Sequence, residues 1–309
     1  MPVYKRSMNH QAIPVPSLEF QLTDTCQNNC GFCANGDSPS KKQSLSPELL
    51  QETFRRMRPE SVIFSGGEPT IRMDLLAPYI RAARAAEVKT VKINTNLELL
   101  DPERLMQLED AGLNIVHFAL NTLEPEQHRN LRGNPHAEVT RVLENIHVIL
   151  EQTRLKLKPE FVCMHETVEN FWDVYDYLND LHVAHPGRFE TIELQRLILL
   201  GRACDASAPK TSEIAEIISR RTLGALQVDA LCFGQEGAQF APYGIHVFPC
   251  YNPANCGCSP VRVDVNGGVS KTNFAGLQAD FNIMNVPDGG IERLLSSPCS
   301  ASLKACAKV

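Results

Sequence analysis

The stretch "TDTCQNNCGFCANG" (23–36) holds Cys26, Cys30 and Cys33, separated by three residues and then by two. Thiols this close could bind a metal, hold a cluster or run disulfide exchange. Three cannot all pair as disulfides, and a tetrahedral zinc site takes a fourth protein ligand that the neighbouring sequence does not supply. An open valence is the question these residues raise; a zinc or redox CxxC site is one answer. A second concentration lies further on, where Cys232, Cys250, Cys256, Cys258, Cys299 and Cys306 make up six of the eleven cysteines. Their neighbours are Gly, Pro, Asn and Ser, so packing in a core does not explain them. Cys163 and Cys204 stand alone and read as small buried hydrophobes.

The elements able to position these residues follow a βα rhythm. Strand-like runs at 17–23, 61–67, 90–96 and 114–122 continue in "KLKPEFVCM" and in 190–197. Between them lie helix-like runs such as "PELLQETFRRM", "DLLAPYIRAARAA" and "DPERLMQLEDAG". "HAEVTRVLENIHVILEQ" is amphipathic, with Val139, Val142, Leu143, Ile146 and Ile149 on one face. Six such units predict a parallel sheet or barrel. The rhythm breaks after "LLGRA" (199–203), which places a boundary near residue 205. Residues 1–16 are then an extension, 17–205 an α/β barrel domain, and 206–309 a small Cys-rich domain with one helix over 212–228. In parallel βα architectures chemistry gathers at the carboxyl ends of the strands. Every unusual segment falls there: the cysteine loop, Gly66-Gly67-Glu68-Pro69, Asn94-Thr95-Asn96 and Asn121. Each alone could be a turn; together, at one edge, they form a constellation.

These residues resemble the radical S-adenosylmethionine superfamily. Its signature CxxxCxxC follows the first strand of a partial (βα)6 TIM-like barrel and is matched by Cys26, Cys30 and Cys33. "SGGEPTIRMDL" (65–75) is similar to the family's GGEP segment, and Phe32 stands at the aromatic position beside the adenine. "ALNTLEPEQHRNLRG" and "LLGRA" are similar to segments of the molybdenum-cofactor cyclase and SPASM/twitch branches. The resemblance implies three irons of a [4Fe-4S] cluster on the cysteines and S-adenosylmethionine on the fourth, which would fill the open valence. It implies Gly66, Gly67 and Glu68 at the methionine end, with Asn96 and Asn121 as polar contacts or local backbone partners. It also implies a flavodoxin-like electron donor and a 5′-deoxyadenosyl radical that takes hydrogen from an unactivated carbon.

The C-terminal cysteines bear on which reaction follows. "CSPVRVDVNGGVSKTNF" (258–274) reads as a hairpin with "NGG" as its turn. It is similar to twitch and SPASM hairpins that carry an auxiliary [4Fe-4S] cluster, but Thr272-Asn273 stands where a second cysteine usually follows. One auxiliary cluster is expected, with ligands drawn from Cys232, Cys256, Cys258, Cys299 and Cys306. Six cysteines exceed four ligand places, and Cys250 is either a further ligand or a thiol that returns hydrogen to a substrate radical. The second role resembles radical epimerases of aminoglycoside-type carbohydrates. An oxidative enzyme, such as a dehydrogenase or peptide thioether former using the auxiliary cluster as electron acceptor, is the alternative; a non-catalytic iron–sulfur sensor is disfavoured by the intact motifs.

Bulk properties agree with a small-molecule enzyme. With 43% hydrophobic and 21% charged residues the chain reads as a globular protein. A net charge of −6 argues against a nucleic-acid partner and permits a cationic substrate. The first residues lack the apolar core of a signal peptide, and no run of eighteen apolar residues occurs. A cytoplasmic location with reduced thiols, and no membrane partner, is the expectation.

Overall fold

The structure, a computed structural model, describes residues 17–34, 45–199, 201–205, 208–247, 261–264, 266–270 and 281–282. Its spine is a run of parallel strands: β1 (Ser17–Thr23), β2 (Ser61–Gly66), β3 (Thr90–Thr95), β4 (Ile115–Ala119), β5 (Lys156–Cys163) and β6 (Ile192–Arg196). The expected α/β architecture is therefore present. Its helices are α1 (Pro47–Met57), α2 (Met73–Ala85), α3 (Pro102–Ala111), α4 (Pro125–Arg132), α5 (Val139–Gln152) and α6 (Phe171–Ala184). Local signals set their ends. Ser46 and Asp101 cap α1 and α3 by accepting the N–H groups of Leu49 and Arg104, each with proline next in sequence. Gly112 and Gly133 close α3 and α4 in the left-handed conformation.

Residues alternate along the strands, and the two faces differ in kind. Leu18, Phe20 and Leu22 of β1, Val62 and Phe64 of β2, and Val91 and Ile93 of β3 are fully buried in the main core cluster. The Phe20, Phe64 and Tyr79 rings meet there at 5.8–6.3 Å between centroids. The other face carries Glu19, Gln21, Asn94, His117, Glu160 and Glu193. Strands covered on both sides are usually apolar on both, so this polar inner face marks a space meant for something other than side-chain packing.

Beyond β6 the sheet continues. The helix expected over 212–228 stops at Ser219, giving α7 (Thr211–Ser219). The chain then turns through "RRTLG" and forms β7 (Val228–Leu231), parallel to β6, followed by β8 (His246–Val247). The apolar residues past 222 read as helix by local preference, but tertiary pairing with β6 overrides that preference. On the other side, β9 (Val261–Val263) runs parallel to β1 and turns back as β10 (Gly268–Ser270), which pairs with β11 (Phe281–Asn282). The predicted hairpin is thus present, its turn held by Asp264 Oδ1, which accepts the N–H groups of Asn266 and Gly268. The order is β11-β10-β9-β1-β2-β3-β4-β5-β6-β7-β8, so the described part of 206–309 extends both ends of one sheet. Cys250, Cys256, Cys258, Cys299 and Cys306 lie outside the described residues. Among those described, no helix is long and apolar enough to cross a membrane.

Candidate active site

The carboxyl ends of β1 to β5 surround a cavity of about 570 Å³. Cys26, Cys30 and Cys33 all line it, on the loop that leaves β1. That loop is fixed largely through backbone. The N–H groups of Gly67 and Glu68, past the end of β2, donate to Thr23 O at 2.6 Å and Thr25 O at 2.8 Å. The approach is so close that a Cβ on Gly66 or Gly67 would sit 2.2 Å from the carbonyl oxygen of Thr23 or Thr25. Gly66 also has φ +143°, which only glycine adopts readily. From α4, Arg132 O accepts Asn29 N–H at 2.8 Å. From the "LLGRA" segment, Arg202 donates its N–H to Cys33 O at 3.1 Å and its Nε–H to Cys30 O at 2.9 Å.

Glu68 is buried and serves as a bracket. Oε1 accepts from Thr70 N–H, Thr70 Oγ1 and Thr95 Oγ1, and Oε2 accepts Asn96 N–H at 2.7 Å. Burial pushes its carboxyl up, while these donors oppose the shift. With this carboxylate and the Gly67 and Glu68 N–H groups committed, and Glu68 O accepting Ile71 N–H at 3.2 Å, it is Gly67 that has a carbonyl oxygen to offer a ligand. Asn96 touches the cysteine loop directly: Oδ1 accepts from Gln27 Nε2 at 3.0 Å, and Nδ2 lies 3.9 Å from Cys26 Sγ. Phe32 lines the cavity and packs against a small cluster of Val162, Met164, Leu197 and Ala203. Asn121 is not brought to the cavity wall; its Oδ1 accepts Val162 N–H at 2.8 Å and pegs β5 to the end of β4. Cys232 follows β7 with φ +65° and is likewise not in the lining. Cys163 is fully buried at the end of β5, as its isolation suggested.

The inner face adds groups the motifs did not reveal. His117 Nδ1 is 3.0 Å from Asn94 Oδ1, and its Nε2 is 3.3 Å from Glu193 and 3.8 Å from Glu160. Lys158 pairs with Glu193 from the other side. Burial pushes the imidazole down, but Glu193 and then Glu160 outweigh it and hold His117 above its ordinary value. Burial also raises the Glu160 carboxyl, which lines the cavity with Glu19 and Asp24. The signal was in the sequence: "VKIN", "VHFA", "LKPEF" and "IELQ" put polar residues at every second position of strands covered by helices.

The donor set suits a cluster better than its alternatives. Among the described residues no three His, Cys, Asp or Glu side chains are gathered so as to hold a single metal ion. A four-iron cluster spreads its ligands over separate corners and asks for a wider cradle. A redox or nucleophilic cysteine needs a lowered pKa, yet burial pushes Cys26 up to about 12, with Asn28 N–H at 3.4 Å as the nearest opposing donor. A thiol so placed gives up its proton to a metal that supplies the missing positive charge.

Residues 20–178 match the family model described as the Radical SAM superfamily. A probable GTP 3′,8-cyclase of Methanocaldococcus jannaschii is 26% identical over 171 residues, which are 54% of this chain and 56% of the relative. The chain thus spans little more than half the length of that relative. A probable GTP 3′,8-cyclase of Metallosphaera sedula is 28% identical over 262 residues, 82% of this chain and 79% of the relative. Among solved structures, Streptococcus suis SuiB bound to S-adenosylmethionine superposes with a TM-score of 0.65 at 14% identity, covering 89% of this chain and 64% of SuiB. At that identity the likeness is one of fold.

Proposed function

The chain belongs to the radical SAM superfamily, and from that premise we propose that it abstracts hydrogen from a small, polar, cation-bearing substrate held in the cavity. The observation that carries this reading is one wall shared by Cys26, Cys30 and Cys33 with the carboxylates of Glu19, Asp24 and Glu160. When bound, the [4Fe-4S] cluster and S-adenosylmethionine supply a 5′-deoxyadenosyl radical for that abstraction. The chain's own residues provide the rest. The Gly67 carbonyl suits the ammonium group of the cosubstrate, Phe32 offers an apolar face, and Asn96 steadies the loop at Cys26. Glu160, its charge partly offset by His117 at 3.8 Å, and Glu19, which accepts Ser65 Oγ at 2.6 Å, offer carboxylate oxygens to an amine.

The finer reading is an epimerase of an aminoglycoside-type carbohydrate, in which Cys250 returns a hydrogen atom to the substrate radical from the opposite face. One auxiliary [4Fe-4S] cluster would be held by Cys232, Cys256, Cys258, Cys299 and Cys306 or four of them, and a cytoplasmic flavodoxin-like protein would supply electrons. The competing reading is a nucleotide cyclase, favoured by the Metallosphaera sedula relative over 262 residues. Against it, a triphosphate would bring several negative charges to a wall that has no lysine among its described residues. Its two arginines bond the cysteine loop and its supports.

Anaerobic turnover in deuterium oxide separates the readings. An aminoglycoside that returns as an isomer carrying one solvent deuterium supports epimerisation. A product two hydrogens lighter supports the oxidative alternative, and a cyclised product from GTP alone would withdraw the epimerase reading. In Cys250→Ala, a donor role predicts retained iron, continued 5′-deoxyadenosine formation and no inverted product. Loss of about half the iron, one of two four-iron clusters, would instead make Cys250 a ligand.

A further inference from the structure

Arg132, the last residue of α4, stands between the cysteine loop and a buried carboxylate. Its Nη1 lies 4.0 Å from Cys30 Sγ, and its Nη2 donates to Ala119 O at 2.9 Å. Its Nε faces Glu98 Oε1 at 3.5 Å, with both side chains less than a tenth exposed. The same Glu98 oxygen lies 3.2 Å from His128 Nε2 and accepts from Asn28 Nδ2 at 3.0 Å. Asn28 belongs to the cysteine loop, so that loop, the segment after β3 and α4 share one buried pair of charges.

Holding the loop's shape does not account for this pair. The loop is already tied to α4 by Asn29 N–H on Arg132 O, and to the segment beyond by Asn134 Nδ2 on Asn28 Oδ1 at 2.8 Å. Burying a guanidinium and a carboxylate is costly, and an apolar pair of similar volume would pack at lower cost. What an apolar pair could not provide is a full positive charge aimed at a cluster sulfur.

We propose that the Arg132–Glu98 pair sets the reduction potential of the cluster held by Cys26, Cys30 and Cys33. This rests on the cluster reading of the triad and is independent of the substrate. Reduction adds an electron to the cluster. Positive charge at Cys30 Sγ stabilises the reduced state, and negative charge behind the guanidinium tempers that effect. Arg132 is thus a positioning residue that acts through a ligand, and Glu98 acts through Arg132.

The sign of two substitutions tests it. The reconstituted full chain is titrated anaerobically by electron paramagnetic resonance, following the signal that Cys30→Ala eliminates. S-adenosylmethionine is omitted, so an arginine that merely bound its carboxylate would leave the potential unmoved. Arg132→Gln should shift the reduction equilibrium about tenfold toward the oxidised cluster, about 59 mV lower for one electron. Glu98→Gln uncovers the guanidinium and should shift it by a similar factor the other way. Arg132→Lys keeps the charge and should stay within about threefold of the parent, or about half of that 59 mV step. Shifts of Arg132→Gln and Glu98→Gln in the same direction, as general damage would give, overturn the proposal. So does a lysine variant displaced as far as the glutamine one, or no shift at all. Should Arg132→Gln fail to hold its cluster, Glu98→Gln decides alone, a rise supporting the proposal and a fall or no change overturning it. If Cys30→Ala eliminates no signal, the cluster reading of the triad is what fails, and this inference falls with it.

Discussion

Replacing Cys26, Cys30 and Cys33 together by alanine removes about half of the iron from the reconstituted chain and abolishes cleavage of S-adenosylmethionine. On the proposed reading of one four-iron cluster on the triad and one on the C-terminal cysteines, the parent holds about eight irons and the variant about four. The loss should be clean, because the loop's shape depends on groups the substitutions leave alone. Gly67 N–H on Thr23 O, Asn29 N–H on Arg132 O and Arg202 on the Cys30 and Cys33 carbonyls are all backbone contacts of the loop. With both proteins free of iron, near-parental thermal unfolding of the variant is therefore expected beside the lost activity. A triple variant that kept its full iron and still cleaved S-adenosylmethionine would place the cluster elsewhere and remove the basis of the proposed chemistry.

Gly67→Ala should be nearly as damaging while removing no ligand. The new methyl carbon would lie 2.2 Å from Thr25 O, 2.5 Å from the Thr25 carbonyl carbon and 2.8 Å from Asp24 O. None of these is the tip of a flexible side chain, so relief requires moving the backbone that leads into the cysteine loop. A cost of about 1–3 kcal/mol is expected, the range for strain at special backbone positions and for overpacking. It should show as a lower denaturation midpoint, as failure to load the triad's iron, or as both. Gly31→Ala is the internal comparison, since Gly31 sits in the same loop with no atom within 4 Å of its added Cβ. It should change stability by less than about 0.5 kcal/mol. Parental stability and iron loading in Gly67→Ala would mean that β2 does not press on the loop as described.

The parts of this architecture that were legible in the sequence are those governed by local rules. Strand-like runs, the Gly66-Gly67 stop and the alternating helix-like runs placed β1 to β6, and the cysteine spacing marked the loop after β1. The hairpin of β9 and β10 was equally readable, because alternation and its turn residues lie within ten positions of one another. Partnership across the sheet was not. Asn121 has the residue type and place of a ligand contact, yet its oxygen holds Val162, a use that only the packed strands reveal. Glu68 sits in a motif segment, but what fixes its role is Thr95 and Asn96 on the neighbouring strand. Arg132 and Glu98 are ordinary charged residues in sequence, and their burial against Cys30 depends on three separate segments meeting. The run past Ser219 misled for a related reason, since β6 supplies a pairing edge that local helix preference does not take into account.

The pairing of β1 with β9 also bears on how the molecule comes together during synthesis. Gln21 accepts a hydrogen bond from Arg262 at 2.7 Å, a contact between residues 241 positions apart. One flank of β1 therefore stays open until most of the chain has left the ribosome, and closing so distant a contact is slow. In that interval β1 offers unpaired backbone groups to any extended segment, its own or another molecule's. The strand that carries the cysteine loop thus gains β2 on one side long before it gains β9 on the other. Iron that arrives before β9 docks would meet a loop with one side of its supporting strand unfinished, so cluster assembly is best timed after β9 has docked.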